Sequence, residues 1–139
     1  MSEHAFSMRL HCSYSGADNA IEQLQVSHMV DSEWQPFELN LLSPGFSIYV
    51  YSLFTCQHTY FRINCAESGL ALTAADGTLE LIAGEDWMIR RLHVDFAGEL
   101  RSGAASPDQV QHIIKRMSRC PVSRNTRTVP DSRTTVRFS

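Results

Sequence analysis

Residues 43–70 read SPGFSIYVYSLFTCQHTYFRINCAESGL, and the fold turns on whether this stretch is strand or helix. Ser47-Ile48-Tyr49-Val50-Tyr51 is rich in β-branched and aromatic residues, which by propensity alone favours strand. Length and punctuation favour helix. Ser43-Pro44 has the look of an N-cap followed by a first-position proline, and Gly69 stands where a C-terminal capping glycine belongs. No turn residue interrupts the interval, which is far longer than a usual strand of about 5–6 residues. The stretch is therefore expected to be a buried central helix, about Phe46 to Glu67, apolar around most of its circumference. On it Tyr49, Leu53, Cys56, Tyr60 and Ile63 share one stripe. Cys65 falls on roughly the opposite side from Cys56, so the two cannot pair within a straight helix.

Outward from this helix the pattern changes to period two. Phe6, Met8, Leu10, Cys12 and Tyr14 alternate with Ser7, Arg9, His11 and Ser13, a strand over residues 5–14. Gly16-Ala17-Asp18-Asn19 reads as a turn. Leu24, Val26 and His28 then suggest a second strand, and Phe37, Leu39 and Leu41 a third, entered after Pro36. Beyond Gly69, Leu70–Thr73 and Thr78–Leu81 flank Asp76-Gly77, read as a hairpin turn. Gly84-Glu85-Asp86 is a further turn, leading into a strand with Leu92, Val94 and Phe96 on one face.

A second helix is announced by Ser106-Pro107-Asp108-Gln109, which combines an N-cap, a first-position proline, a first-turn acid and a capping-box glutamine. Val110, Ile113, Ile114 and Met117 form its apolar face, and Pro121 places Cys120 at its end. Val136 and Phe138 close the chain in a last strand. Strands, long helix, strands, helix, strand: the order implies an α+β domain spanning residues 1–139.

Composition sets the remaining bounds. A chain of 139 residues, 43% hydrophobic and 19% charged, has the makeup of one globular domain. No membrane-spanning run and no signal pattern is present, so a cytoplasmic protein without a membrane partner is expected. The net charge of −3 conceals seven basic residues against one acid from Lys115 onward. With no binding motif beside them, these read as a solvated strand face, and no nucleic-acid partner is expected. The six histidines lack paired ligand spacing, and His11 and Cys12 point to opposite faces of a strand, so no metal or other cofactor is expected. No nucleophile-elbow motif supports a Ser/His/Asp hydrolase. The four cysteines, at 12, 56, 65 and 120, show no CxxC spacing and read as free thiols, with Cys12 a core residue.

Three features together resemble the OsmC/Ohr family of osmotically induced and organic-hydroperoxide-resistance proteins, over about Ser43 to Phe138. They are Phe54-Thr55-Cys56 inside a long buried helix, Ala66-Glu67-Ser68-Gly69-Leu70 after it, and Arg119-Cys120-Pro121-Val122-Ser123 ending an amphipathic helix. The resemblance implies the OsmC-like fold, with antiparallel sheets packed around a long central helix in an intertwined homodimer. It implies that Cys56 is a peroxidatic nucleophile and Cys120 its resolving partner, with an external dithiol as reductant. A thiolate needs a nearby cation to lower its pKa. Peroxidase members carry an arginine after the first strand and a glutamate ten positions before the nucleophile. Here Arg9 is the only arginine before position 62, and Phe46 stands at the glutamate position. The alternative is a non-enzymatic dimer of the same fold that holds a small apolar ligand among Phe46, Tyr49, Tyr60 and Trp34, with the cysteines structural.

Overall fold

The computed structural model describes residues 2–139. Its elements are β1 (His4–Ser15), β2 (Ala20–Val30), β3 (Glu33–Pro36), α1 (Gly45–Glu67), β4 (Leu72–Ala83), β5 (Ile89–Leu100), α2 (Pro107–Met117), a short 3₁₀ turn (Ser123–Thr126) and β6 (Asp131–Phe138). The strands form one six-stranded sheet in the order β3-β2-β1-β4-β5-β6, antiparallel except for the last pair. Parallel pairing of β6 with β5 requires a crossover, and α2 supplies it.

Helix wins over strand propensity between 45 and 67 because the segment has neighbours on which to bury a long side. Val50, Leu53, Phe54, Phe61 and Cys65 lie against the sheet with almost no exposure. The C-terminal end is closed by a Schellman arrangement: Gly69 at φ +77° donates to the Ala66 carbonyl at 3.0 Å, and Leu70 donates to that of Cys65 at 2.8 Å. At the other end the capping residue is Pro44, without a side-chain cap, rather than Ser43. The Ser43 hydroxyl instead accepts from the Asn40 amide within the preceding loop. The capping box of α2 forms as read, with Gln109 N–H on Ser106 Oγ and Ser106 N–H on Gln109 Oε1.

The sheet's inner face is set by register. Leu10, Gly77, Phe96 and Val136 stand side by side across β1, β4, β5 and β6. The flanking rows supply Met8, Leu79 and Val94 on one side and Cys12 and Ala75 on the other. Phe96 is the floor on which α1 rests, with ring centroids 4.8 Å from Phe61 and 5.9 Å from both Phe54 and His58. The outer face is polar: His11 bonds Asp76 at 2.8 Å, His93 and Arg91 share Asp131, and Arg137 and Thr135 meet on Asp95.

Two expectations are corrected. Asp76-Gly77 is not a hairpin turn but the middle of β4, paired on both sides with β1 and β5. Its glycine is there because a Cβ would sit 2.6 Å from the Phe96 ring, and Asp76 faces outward to His11. The third strand is Glu33–Pro36, ahead of the Phe37, Leu39 and Leu41 alternation. It is entered through Asp31-Ser32, both with positive φ, a two-residue hairpin turn made without glycine. Past Pro36 the Phe37 amide still bonds the Val26 carbonyl, but Leu39, Leu41 and Leu42 project from a loop, the last two nearly wholly exposed.

Candidate functional site

Cys56 and Cys120 are joined as a disulfide across 64 positions, with Cα atoms 6.2 Å apart. The expectation of four free thiols therefore holds for Cys12 and Cys65 only. Local structure brings the pair together. Cys56 lies on the half-buried stripe of α1, turned away from the apolar row that meets the sheet. Cys120 sits just past α2, in a turn whose amides back-bond: Arg119 N–H to Arg116 O at 3.0 Å and Cys120 N–H to Met117 O at 3.2 Å. Pro121 ends the helical run, and the Cys120 carbonyl accepts from Arg124 N–H at 3.0 Å. Cys120 itself is fully buried.

Polar ties along α1 hold this arrangement. Gln57 Nε2 donates to the Met117 carbonyl at 2.9 Å and to Ser123 Oγ at 2.6 Å. Arg116 Nε donates to Asn64 Oδ1 at 3.1 Å, and Gln109 Nε2 to the Ser68 carbonyl at 3.1 Å. Gln57 and Asn64 carry no sequence motif of this role, because a lone polar residue in an apolar helix forms none. The signal was available only as two amides on α1 that lack the spacing of a solvated face.

Behind the pair, under α1, lies a second group of titratable side chains. Tyr14 Oη and His58 Nε2 share a hydrogen bond at 2.7 Å, and both residues are buried. Burial, assisted by the nearby Arg62 charge, lowers the His58 pKa to about 4, so the imidazole is neutral at physiological pH. Burial raises the Tyr14 phenol well above its ordinary value and lifts the Cys65 thiol to about 12. Cys12 is raised as well, chiefly by burial. Thiols so placed are protonated and unreactive at neutral pH, unlike a thiol on an exposed or electropositive face.

The other residues singled out in the sequence are dispersed. Arg9 stands on the outer face of the sheet, its guanidinium 4.4 Å above the Trp34 ring. The buried row of β1 faces α1, so within one chain the sheet separates Arg9 from Cys56. Phe46 packs in an aromatic group with Phe6, Trp87 and Tyr49. Tyr60 lines a cleft with Ile63, Asn64, Glu67 and Arg116. At 1.5 Å per residue Phe46 and Tyr60 are about 21 Å apart along α1, so they do not share a small-ligand pocket. Among the described residues no cluster of His, Cys, Asp and Glu could hold a metal ion, and no helix is long and apolar enough to cross a membrane.

A sheet carrying one long helix with a half-buried cysteine, bonded to a second cysteine at the end of a crossover helix, defines the chain as an α+β protein with one disulfide. The particular fold is the OsmC-like one. The chain superposes on an OsmC-like hydroperoxide resistance protein from Jannaschia sp. with a TM-score of 0.57, at 14% identity, covering 86% of this chain and 85% of that one. It likewise superposes on an OsmC-like protein from Mycoplasma pneumoniae with a TM-score of 0.53, at 10% identity, covering 83% and 87%. No family model and no curated protein matches the sequence.

Proposed function

We propose that this chain is a thiol-dependent reductase of organic hydroperoxides, working through Cys56 and Cys120 as a single OsmC-like unit in a cytoplasmic homodimer. The observation that carries the reading is the sulfur–sulfur bond between a half-buried helix cysteine and a turn cysteine 64 positions away. The remaining thiols, Cys12 and Cys65, are buried with raised pKa values, which leaves one chemically competent pair.

The chemistry runs in three steps. The Cys56 thiolate attacks the distal oxygen of the hydroperoxide. The O–O bond breaks, the alkoxide takes a proton and leaves as the alcohol, and Cys56 becomes a sulfenic acid. The Cys120 sulfur then attacks the Cys56 sulfur; the S–S bond forms as the S–O bond breaks, and the hydroxyl departs with the thiol proton as water. An external dithiol returns both cysteines to thiols by exchange and is itself oxidised to a disulfide. The cation that favours the first thiolate is not Arg9 of the same chain. Arg119 and Arg124 flank Cys120, and Arg124 is committed through its Nε to the Arg119 carbonyl at 3.0 Å. Both guanidiniums keep their charge and their terminal N–H groups, so either is this chain's candidate.

The test is one equivalent of cumene hydroperoxide added to reduced protein, followed by peptide mapping without reductant. The expected result is a linked Cys56–Cys120 peptide and one equivalent of cumyl alcohol. Unconsumed hydroperoxide with both thiols free would refute the reading.

A further inference from the structure

Gln57 follows Cys56 directly but points to the sheet side of α1, where it is only 4% exposed. Its amide does something specific there. The Met117 carbonyl that accepts Gln57 Nε2 at 2.9 Å also accepts the Cys120 amide at 3.2 Å, so one oxygen gathers α1 and the Cys120 turn. The second Gln57 bond, 2.6 Å to Ser123 Oγ, grips the same turn three residues after Cys120. Among the described residues these are the only side-chain hydrogen bonds from α1 to the segment from Met117 to Ser123. Gln57 Oε1, meanwhile, is buried without a partner. Turning the amide over would set that oxygen against the Met117 carbonyl, two acceptors face to face, so the donors decide the orientation at the expense of the acceptor. A buried polar group left unsatisfied is uncommon in folded proteins, and here it is tolerated where two donors bind the Cys120 turn.

We propose that Gln57 is a positioning residue for the thiol pair: its amide holds the Cys120 turn against α1 once the disulfide is open, so that Cys120 waits beside Cys56. This rests on the redox reading of the pair. It assigns Gln57 no contact with the reacting atoms. Its effect is on the effective concentration of one thiol at the other. With a sulfenic acid on Cys56, a turn held in place delivers the Cys120 sulfur before a second hydroperoxide converts Cys56 to the sulfinic acid.

A merely structural Gln57 would stabilise the oxidised and reduced forms alike and leave their ratio untouched. The discriminating measurement is therefore the equilibrium of the pair with reduced and oxidised dithiothreitol, read by alkylation and mass spectrometry. Gln57→Met keeps length and packing without the donors, and Ser123→Ala removes one arm only. Gln57→Met is expected to lower the effective concentration of the pair roughly tenfold, and Ser123→Ala severalfold, in line with the worth of buried hydrogen bonds. Sulfinic acid at Cys56 is expected to rise in the same order under excess cumene hydroperoxide. A wild-type ratio in both variants overturns the proposal, and Ser123→Ala alone decides it should Gln57→Met not fold. Because the equilibrium is approached from diamide-oxidised protein, it reads Gln57 even if wild type consumes no hydroperoxide. In that event the peroxidase reading falls alone.

Discussion

Acidification should destabilise this protein in a defined window, and one side chain should account for most of it. His58 lies against the inner face of the sheet, hydrogen-bonded to Tyr14 of β1 and stacked on Phe96 of β5, with Arg62 and Cys65 on its own helix and Cys12 beside Tyr14. In the unfolded chain it titrates near 6.5; in the folded chain burial and Arg62 bring it to about 4. Between these values the unfolded state binds the proton and the native state does not, so stability falls as pH drops from about 6.5 toward 4. The separation corresponds to roughly 3 kcal/mol at the acid end. The perturbation to make is His58→Gln, which retains a hydrogen-bonding partner for the Tyr14 hydroxyl, as donor or acceptor, but cannot be protonated. Urea unfolding of the oxidised protein at a series of pH values from 7.5 to 4 reads the difference. The wild type should lose about 3 kcal/mol more than the variant across that range. The comparison should stop near pH 4, where the native imidazole itself takes up the proton; the Asp131 carboxyl, held below its ordinary value chiefly by its hydrogen bond to His93, contributes alike to both proteins. Parallel stability curves for the two proteins would refute the account of His58.

Two further outcomes follow from the sheet and the core thiols. Gly77→Ala places a methyl 2.6 Å from the Phe96 ring, which is enclosed by Phe54, Phe61 and His58 and has nowhere to go; a loss of about 1–3 kcal/mol, or roughly 3–10 °C in melting temperature, is expected by calorimetry. Gly45→Ala, whose Cβ meets nothing within 4 Å, is the control and should leave the melting temperature unchanged or slightly raised. In reduced native protein, iodoacetamide should modify Cys56 well before Cys12 and Cys65, with all four reacting in denaturant; equal rates in the native state would mean that the two core thiols are not buried as described.

Much of the fold was legible because local signals and tertiary context agree. The alternation from Phe6 to Tyr14, the capping box at Ser106 and the glycine stop at Gly69 each point to the element that forms. The failures occur where one residue type serves two ends. Asp76-Gly77 carries turn chemistry, yet the glycine makes room for an aromatic ring from the next strand, a constraint that exists only once β5 is in place. Asp31-Ser32 turns without the glycine that usually announces such a turn. At the site, the two cysteines could be named through a resemblance, and their junction agrees with it. Gln57 could not be named, because its partners are a backbone carbonyl and a hydroxyl 60 and 66 positions away. Arg9 takes the outer face by strand parity, so within one chain the sheet stands between it and Cys56.

The span of the disulfide also bears on synthesis. At about 5–20 residues per second, Cys56 leaves the ribosome roughly 3–13 s before Cys120, and during that interval Cys12 and Cys65 are its only possible partners. β4 follows α1 directly and pairs with β1, and in the folded chain Cys12 is enclosed on the inner face and Cys65 beneath the helix. The cysteine left at the surface is the one whose partner arrives last. Burial of Cys12 and Cys65 thus screens out the wrong cross-links, and a chain that has not yet paired β4 with β1 is the one at risk of forming them.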